Sequence, residues 1–297
     1  MHLNIFVSQE CFTYCKGCYS YSREEKNGIM LPTDIIIKFL KYAHYKGIDS
    51  VTFCGGDPLT RKDIVPLIKK VKEIGFRITM DTLGTLFVKD FELNKNIKLS
   101  KIQDADFIKS IDMIGIPIDG IDSKTISLFR CTNENIFKQQ MEIYEKLRNL
   151  RANICFNTVV HKENVCQSKE FAKELINKLE FQKWQFFQYS TSGKYAYKNK
   201  NLFEITDKDF YLFAKNILDA TKKSNIEFKD NKQRNGKYLL IDNSGYAWVQ
   251  FFENEKENRN IIGNIKNLKD WGKIINTIIE SENLNETHRY KKLINRW

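Results

Sequence analysis

Short apolar runs alternate with amphipathic stretches through the first two-thirds of the chain. The runs "LNIFVS" (3–8), "SVTFC" (50–54), "FRITMDT" (76–82), "IDMIGIPID" (111–119), "ANICFNTVV" (152–160) and "KWQFFQYS" (183–190) are short, rich in β-branched and aromatic residues, and predict strands. The stretches "DIIIKFLKYAHYKG" (34–47), "DIVPLIKKVKEIG" (63–75), "NENIFKQQMEIYEKLRNL" (133–150), "SKEFAKELINKL" (168–179) and "DKDFYLFAKNILDATKKS" (207–224) repeat apolar residues three and four apart and predict helices. Glycine stops the first of these. Pro66 fits only the opening turn of the second, which places that helix start near Asp63.

Six β-then-α units in a row predict a parallel sheet with helices outside. Eight such units would close a TIM barrel; six predict an α/β fold of the partial (β/α)6 TIM-type barrel kind. The tail changes character. "KYLLIDNSGYAWVQFF" (237–252) predicts a β-hairpin across Asn243-Ser244-Gly245, and "LKDWGKIINTIIES" (268–281) one more helix. The expected division is a barrel over 1–225 and a small hairpin-and-helix extension over 226–297 that covers the substrate side.

Composition narrows the class. The 297 residues are long enough for one substantial core. No run of 18 apolar residues occurs, so no transmembrane helix or membrane partner is expected. No signal peptide is evident, which makes the cytoplasm the expected location and a disulfide framework unexpected. Lys and Arg number 48 against 37 acidic residues, a formal +11. A nucleic-acid partner is possible on charge alone but not favoured, because the basic residues are spread along the chain rather than gathered in a stripe.

The chemistry concentrates in "CFTYCKGCYSYS" (11–22), the loop after the first strand, with Cys11, Cys15 and Cys18 in the spacing C-x3-C-x2-C. Active sites of such barrels lie on the loops after the strands. A structural zinc wants four ligands, yet Cys54, Cys131, Cys155 and Cys166 are isolated and the four histidines form no H-x3-5-H pair. A disulfide would strand one thiol. A [4Fe–4S] cube normally takes four thiolates, so three leave one iron open to a chelating substrate.

This loop resembles the cluster signature of the radical S-adenosylmethionine (radical SAM) superfamily. The resemblance implies one [4Fe–4S] cluster on Cys11, Cys15 and Cys18, with SAM on the open iron. It implies a one-electron reductant such as a flavodoxin or ferredoxin. It also implies cleavage of SAM to a 5′-deoxyadenosyl radical that abstracts hydrogen from a substrate. "GGDP" after the second strand is similar to the family's GGE motif, assigning Gly55, Gly56, Asp57 and Pro58 to SAM. Tyr19, or Tyr14, stands in for the usual residue near the adenine, since Gly17 precedes the third cysteine. Asp81, Thr82 and Thr85 after the third strand are candidates for the ribose. Asn157 on the fifth strand and Gln188 on the sixth are candidates for SAM contact. Asp119 either faces the site or caps the segment that follows it.

Within the superfamily the expected role is tailoring of a ribosomal peptide or small natural product by crosslinking or epimerisation. The loop "YSTSGKYAYKNKN" (189–201) would line the pocket, with Trp248 and Trp271 as cover. The alternative is a viperin-like, nucleotide-modifying enzyme, which "FCGGDPL", "FNTVVHKENV", "KWQFFQYS" and "YLLIDNSGYAWV" resemble in order. Further alternatives are tRNA modification and a non-catalytic iron–sulfur sensor. Residues 167–297 contain no cysteine, so no cysteine-ligated auxiliary cluster is expected there.

Overall fold

A computed structural model describes residues 1–20, 30–93, 97–132, 135–253 and 256–286. Strands β1 (His2–Ser8), β2 (Ser50–Gly55), β3 (Arg77–Asp81), a small antiparallel pair β4 (Phe91–Leu93) and β5 (Ile97–Leu99), β6 (Met113–Pro117), β7 (Ile154–Val160) and β8 (Lys183–Gln188) span the first two-thirds. They are followed by β9 (Ile226–Lys229), β10 (Leu239–Ile241), β11 (Tyr246–Glu253) and β12 (Lys256–Asn264).

One ten-stranded sheet runs β12-β11-β10-β1-β2-β3-β6-β7-β8-β9. The six strands read from the sequence sit side by side in chain order and all parallel, as the six-unit reading requires. The protein is therefore an α/β fold with a partial barrel, and no strand pairing closes it. Residues after 225 supply both edges. β9 extends one edge in parallel, while β10 pairs parallel with β1 and carries the antiparallel β11 and β12.

The strand period of two sorts the side chains. Leu3, Ile5 and Val7 of β1, Val51 and Phe53 of β2, and Ile78 and Met80 of β3 are fully buried in the main core. There they meet Ile36, Phe39 and Leu40 of the helix Thr33–Tyr45 and Leu67, Ile68 and Val71 of the helix Ile64–Ile74. Each such side chain contributes roughly 1.5–3 kcal/mol by leaving water. Truncating Phe53 to Ala would cost about 3–5 kcal/mol. Pro66 occupies the third residue of its helix, where its missing N–H is one of the unpaired first-turn donors. The helix ends at Gly75 in the left-handed region, φ 108°.

Many of the inner positions are polar. His2 bonds Ser50 and Thr52 at the barrel bottom, and Asn4 donates to the Leu239 carbonyl. Phe6, Cys54, Leu240 and Trp248 form a small separate inner cluster. A closed TIM barrel fills this space with branched apolar residues; here the inner wall is left for something else.

The gap between the two sheet edges is crossed by residues 231–237. Asn231 donates to the Tyr189 carbonyl beyond β8, while the Gly236 N–H reaches the Gln250 carbonyl on β11. The Gly193 N–H donates to Glu257 on β12, and Gln250 to Ser192. The tail helix Trp271–Glu286 does not cover the mouth. Trp271 packs edge-on against Phe39 at 5.6 Å, on the outer layer. Its apolar face was built for a helix partner, whereas Trp248 does line the interior.

Candidate active site

The cysteine loop leaves the C-terminal end of β1 and is pinned on three sides. The Lys16 N–H donates to the Phe129 carbonyl and the Lys16 carbonyl accepts from Asn199. Gly17 has no room for a Cβ, which would lie 2.2 Å from the Phe129 ring. The segment 189–201 thus braces the loop from outside. Thr13 Oγ1 lies 3.3 Å from Cys15 Sγ and 3.8 Å from Cys11 Sγ. Burial pushes the Cys11 thiol up to about 12, with Asp57 and Cys15 adding to the effect.

Three soft sulfurs on one loop, with the Cys11 thiol hard to ionise unless a cation joins it, fit a cluster that binds thiolates. Among the described residues, no three metal-ligating side chains converge on a single-ion point.

The end of β2 supports this loop through its backbone. Gly56 N–H donates to the Ser8 carbonyl and Asp57 N–H to the Glu10 carbonyl. A Cβ on Gly56 would come 2.0 Å from Glu10 O, and Gly55 holds φ 137° against Ser8. Both glycines are needed where two strand ends touch.

Asp57 is 1% exposed. Its carboxylate accepts from Leu59 N–H, Thr82 Oγ1 and Leu83 N–H at 3.0, 2.7 and 2.7 Å. Burial raises its pKa to about 6, against the pull of these three donors. Asp57 and Thr82 therefore tie β2 to β3. Pro58 opens the short 3-10 turn that Asp57 caps. Thr85 is buried and accepts from Gln139. Gln188 faces outward, with its amide held by Asp207 and Asn231. The shared barrel end brings these four near the cysteine loop, but their polar atoms are engaged within the protein.

The inner wall brings other candidates together. Asn157 on β7 reaches across β6 to Asp81 on β3, Nδ2 to Oδ1, 3.0 Å. The intervening Gly115 makes this possible, since a Cβ there would lie 2.1 Å from Asp81. Burial raises Asp81 to about 6, with Asn157 and Lys229 pulling the other way. The Tyr19 ring meets Phe6 edge-on at 6.3 Å. Surrounding protein, then Cys54, Asp81 and Cys18, push its hydroxyl pKa well up, although 48% of the residue is exposed in the concavity.

Several functional residues escaped the sequence reading. The helix Ser123–Arg130 was not foreseen; Asp122 caps it. Asp119 is not that cap. It is fully buried, accepts from the Val159 N–H at 2.8 Å and pairs with Arg130. Arg130 Nη1 lies 3.6 Å from Cys15 Sγ. Burial opposes the guanidinium charge, but Asp119 and the Cys15 thiol outweigh it and raise its pKa.

Further round the wall, Glu227 on β9 pairs with Lys183 at 2.9 Å and Lys229 at 3.4 Å, and accepts from Gln185 at 3.2 Å. Burial works against that carboxylate, but Lys229 and Lys183 hold its pKa below the usual range. Arg234 lies over Phe187, 5.7 Å away, and donates to the Gln188 carbonyl.

The barrel, the three-thiol loop and its glycine brace together define the class. The Radical SAM superfamily profile matches residues 5–175, more than half the chain. The protein belongs to the radical SAM superfamily and is an enzyme whose cofactors are a [4Fe–4S] cluster and SAM. Among similar proteins, an S-adenosylmethionine-dependent nucleotide dehydratase of Selenomonas ruminantium is 22% identical over 89% of each chain. Another, of Lacinutrix mariniflava, is 25% identical over 85% of this chain, which spans half the length of that relative. In fold, Streptococcus suis SuiB bound to precursor peptide SuiA superposes with TM-score 0.64 at 16% identity, over 83% of this chain and 58% of SuiB. The enzyme anSMEcpe with bound AdoMet superposes with TM-score 0.58 at 16% identity, over 95% of this chain and 84% of its own.

Proposed function

We propose that the protein reductively cleaves SAM and abstracts hydrogen from a nucleotide held inside the barrel, with Cys11, Cys15 and Cys18 carrying the cluster. The cluster, when bound and reduced by a small carrier such as a flavodoxin or ferredoxin, supplies the electron that splits SAM into methionine and a 5′-deoxyadenosyl radical. The chain's residues do the rest. Gly55 and Gly56 give the SAM amine a bare backbone edge. Asp57 and Thr82 hold that edge against the end of β3. Asp81, Asn157 and Tyr19 face the space where the adenosyl group and the reacting carbon must meet.

One observation carries the nucleotide reading: beside Asn157 the inner wall bears Lys183 and Lys229, with Arg234 over Phe187, rather than an apolar filling. The aligned nucleotide dehydratases support it, because similarity to them runs along most of this chain. A peptide substrate, the sequence-based preference, is the second reading; the segment 189–201, expected to hold it, braces the cysteine loop at Lys16 instead.

Deuterium transfer into 5′-deoxyadenosine tests both. Transfer from a ribose-deuterated nucleoside triphosphate is the expected result. Transfer from a peptide only would overturn the nucleotide reading, and no cleavage of SAM at all would favour the sensor.

A further inference from the structure

Resting on the nucleotide reading above, we infer that Lys229 and Arg234 form a polyphosphate-binding subsite at the open edge of the barrel, and that Glu227 occupies Lys229 as a displaceable counter-ion while the subsite is empty.

Three features meet at this edge. Lys229 and Arg234 converge on one ring: Lys229 Nζ lies 5.2 Å from the Phe187 centroid and the Arg234 guanidinium 5.7 Å from it. Both cations therefore overhang the same inner side chain of β8.

Their counter-charge is incomplete. Glu227 is shared between Lys183 and Lys229, and its 3.4 Å distance to Lys229 is long beside the 2.7–2.9 Å of a good charge-assisted bond. Arg234 makes its bonds to neutral oxygens, the Gln188 carbonyl and the Asn231 side chain, and its Nε is buried without a partner. The acidic groups that bear on it are Asp230, which caps the turn it ends, and the phenols Tyr238 and Tyr19. Burial accordingly lowers the Arg234 pKa. A guanidinium so placed remains charged and is short of an anion.

Placement supplies the third feature. Residues 231–237 cross between β8 and β11, so Arg234 sits on the segment that bridges the two sheet edges. The Tyr19 phenol lies within electrostatic reach of Arg234, Asp81 and Cys18. A chain of phosphates on Lys229 and Arg234 would leave the sugar of the same molecule over Asp81 and Asn157, toward the cysteine loop. Lys183, lower on β8 and bonded at the shorter distance, stays with Glu227 when the phosphate takes Lys229.

The roles separate by the sign of their effects. Equilibrium binding is measured for inorganic tripolyphosphate and for the four ribonucleoside triphosphates, on reconstituted protein, with iron content and melting temperature recorded for each variant. K229Q and R234Q are each expected to weaken binding at least tenfold, and K229R to restore most of the loss. E227Q is expected to tighten binding several-fold, because it removes the competing carboxylate. Tripolyphosphate should compete with the nucleotides, and added salt should weaken both. Parent-like affinity in folded K229Q and R234Q overturns the subsite while the nucleotide reading stands. Weaker binding by folded E227Q overturns the counter-ion role. A parent protein that binds no triphosphate overturns both subsite and nucleotide reading.

Discussion

Arg130→Met should be among the most destabilising single changes in the chain. Asp119 is 0% exposed and Arg130 13% exposed, so both charges have left water. Besides Arg130, the Asp119 carboxylate accepts from the Val159 N–H at 2.8 Å. Removing the guanidinium leaves a buried carboxylate with that single donor, at a cost of about 3–5 kcal/mol. At about 2–4 °C per kcal/mol for a domain of 150–250 residues, the melting temperature should fall on the order of 10 °C.

The double variant D119N/R130M removes both charges and should recover much of the stability, a coupling beyond the sum of single effects. Denaturant unfolding of parent, both singles and the double gives the cycle. A loss in R130M below about 1 kcal/mol, or a double variant worse than R130M, would refute the reasoning that this pair is a buried one. Iron uptake is a second readout, because Arg130 also touches Cys15.

Replacing Cys11, Cys15 and Cys18 together with Ala should abolish the brown chromophore and the roughly four irons per chain expected of one cube. Loss of colour in a Cys54 or Cys166 variant instead would move the site. Gly56→Val should lose iron as well as SAM cleavage, since its Cβ lies 2.0 Å from Glu10 O, next to Cys11; elemental analysis decides. Gly17→Ala should cost about 1–3 kcal/mol through overpacking against Phe129 and Tyr189, read from the unfolding midpoint. His161, stacked on Phe129 at 4.6 Å, is pushed down to about 3 by burial and by Arg130. The unfolded chain regains a pKa near 6.5, so it takes up the proton first and stability falls as pH drops from about 6.5 toward 3. His161→Phe should flatten that limb of the pH–stability curve.

The parallel core was legible because each strand carries its own evidence. Apolar residues at every second position, as in Leu3, Ile5 and Val7, mark the face that meets the helices. β9 and β12 were missed for the opposite reason. "IEFK" is four residues with one buried side chain, and "KENRNIIGN" lies at the sheet edge with little to bury. That β10 pairs in parallel with β1 is a matter of topology, and no local signal in "LLI" encodes it. The helix Ser123–Arg130 is eight residues long and only Thr125, Ile126 and Phe129 in it are buried, which weakened its periodicity.

The site divides along the same line between local and distant information. The cysteine loop stands out in the sequence because its three thiols lie within eight residues of one another. Gly55 and Gly56 could be read because a bare backbone edge needs glycine wherever the partner comes from. Asp57 was harder: a carboxylate after two glycines looks like a ligand group, and only the positions of Thr82 and Leu83, 25 and 26 residues on, turn it into a brace. Arg130, Lys229 and Arg234 had no local mark at all, since a basic residue among 48 says nothing until the fold decides which way it points. In this barrel the direction follows from strand parity. Residues in register with the buried outer set become core, and their neighbours, Asp81, Asn157, Gln185, Glu227 and Lys229, face an interior too polar to pack on itself. A wall of that composition is stable only with water or a polar ligand against it, so the polarity that weakens the strand pattern in β9 is the same polarity that suits the interior to a polar guest.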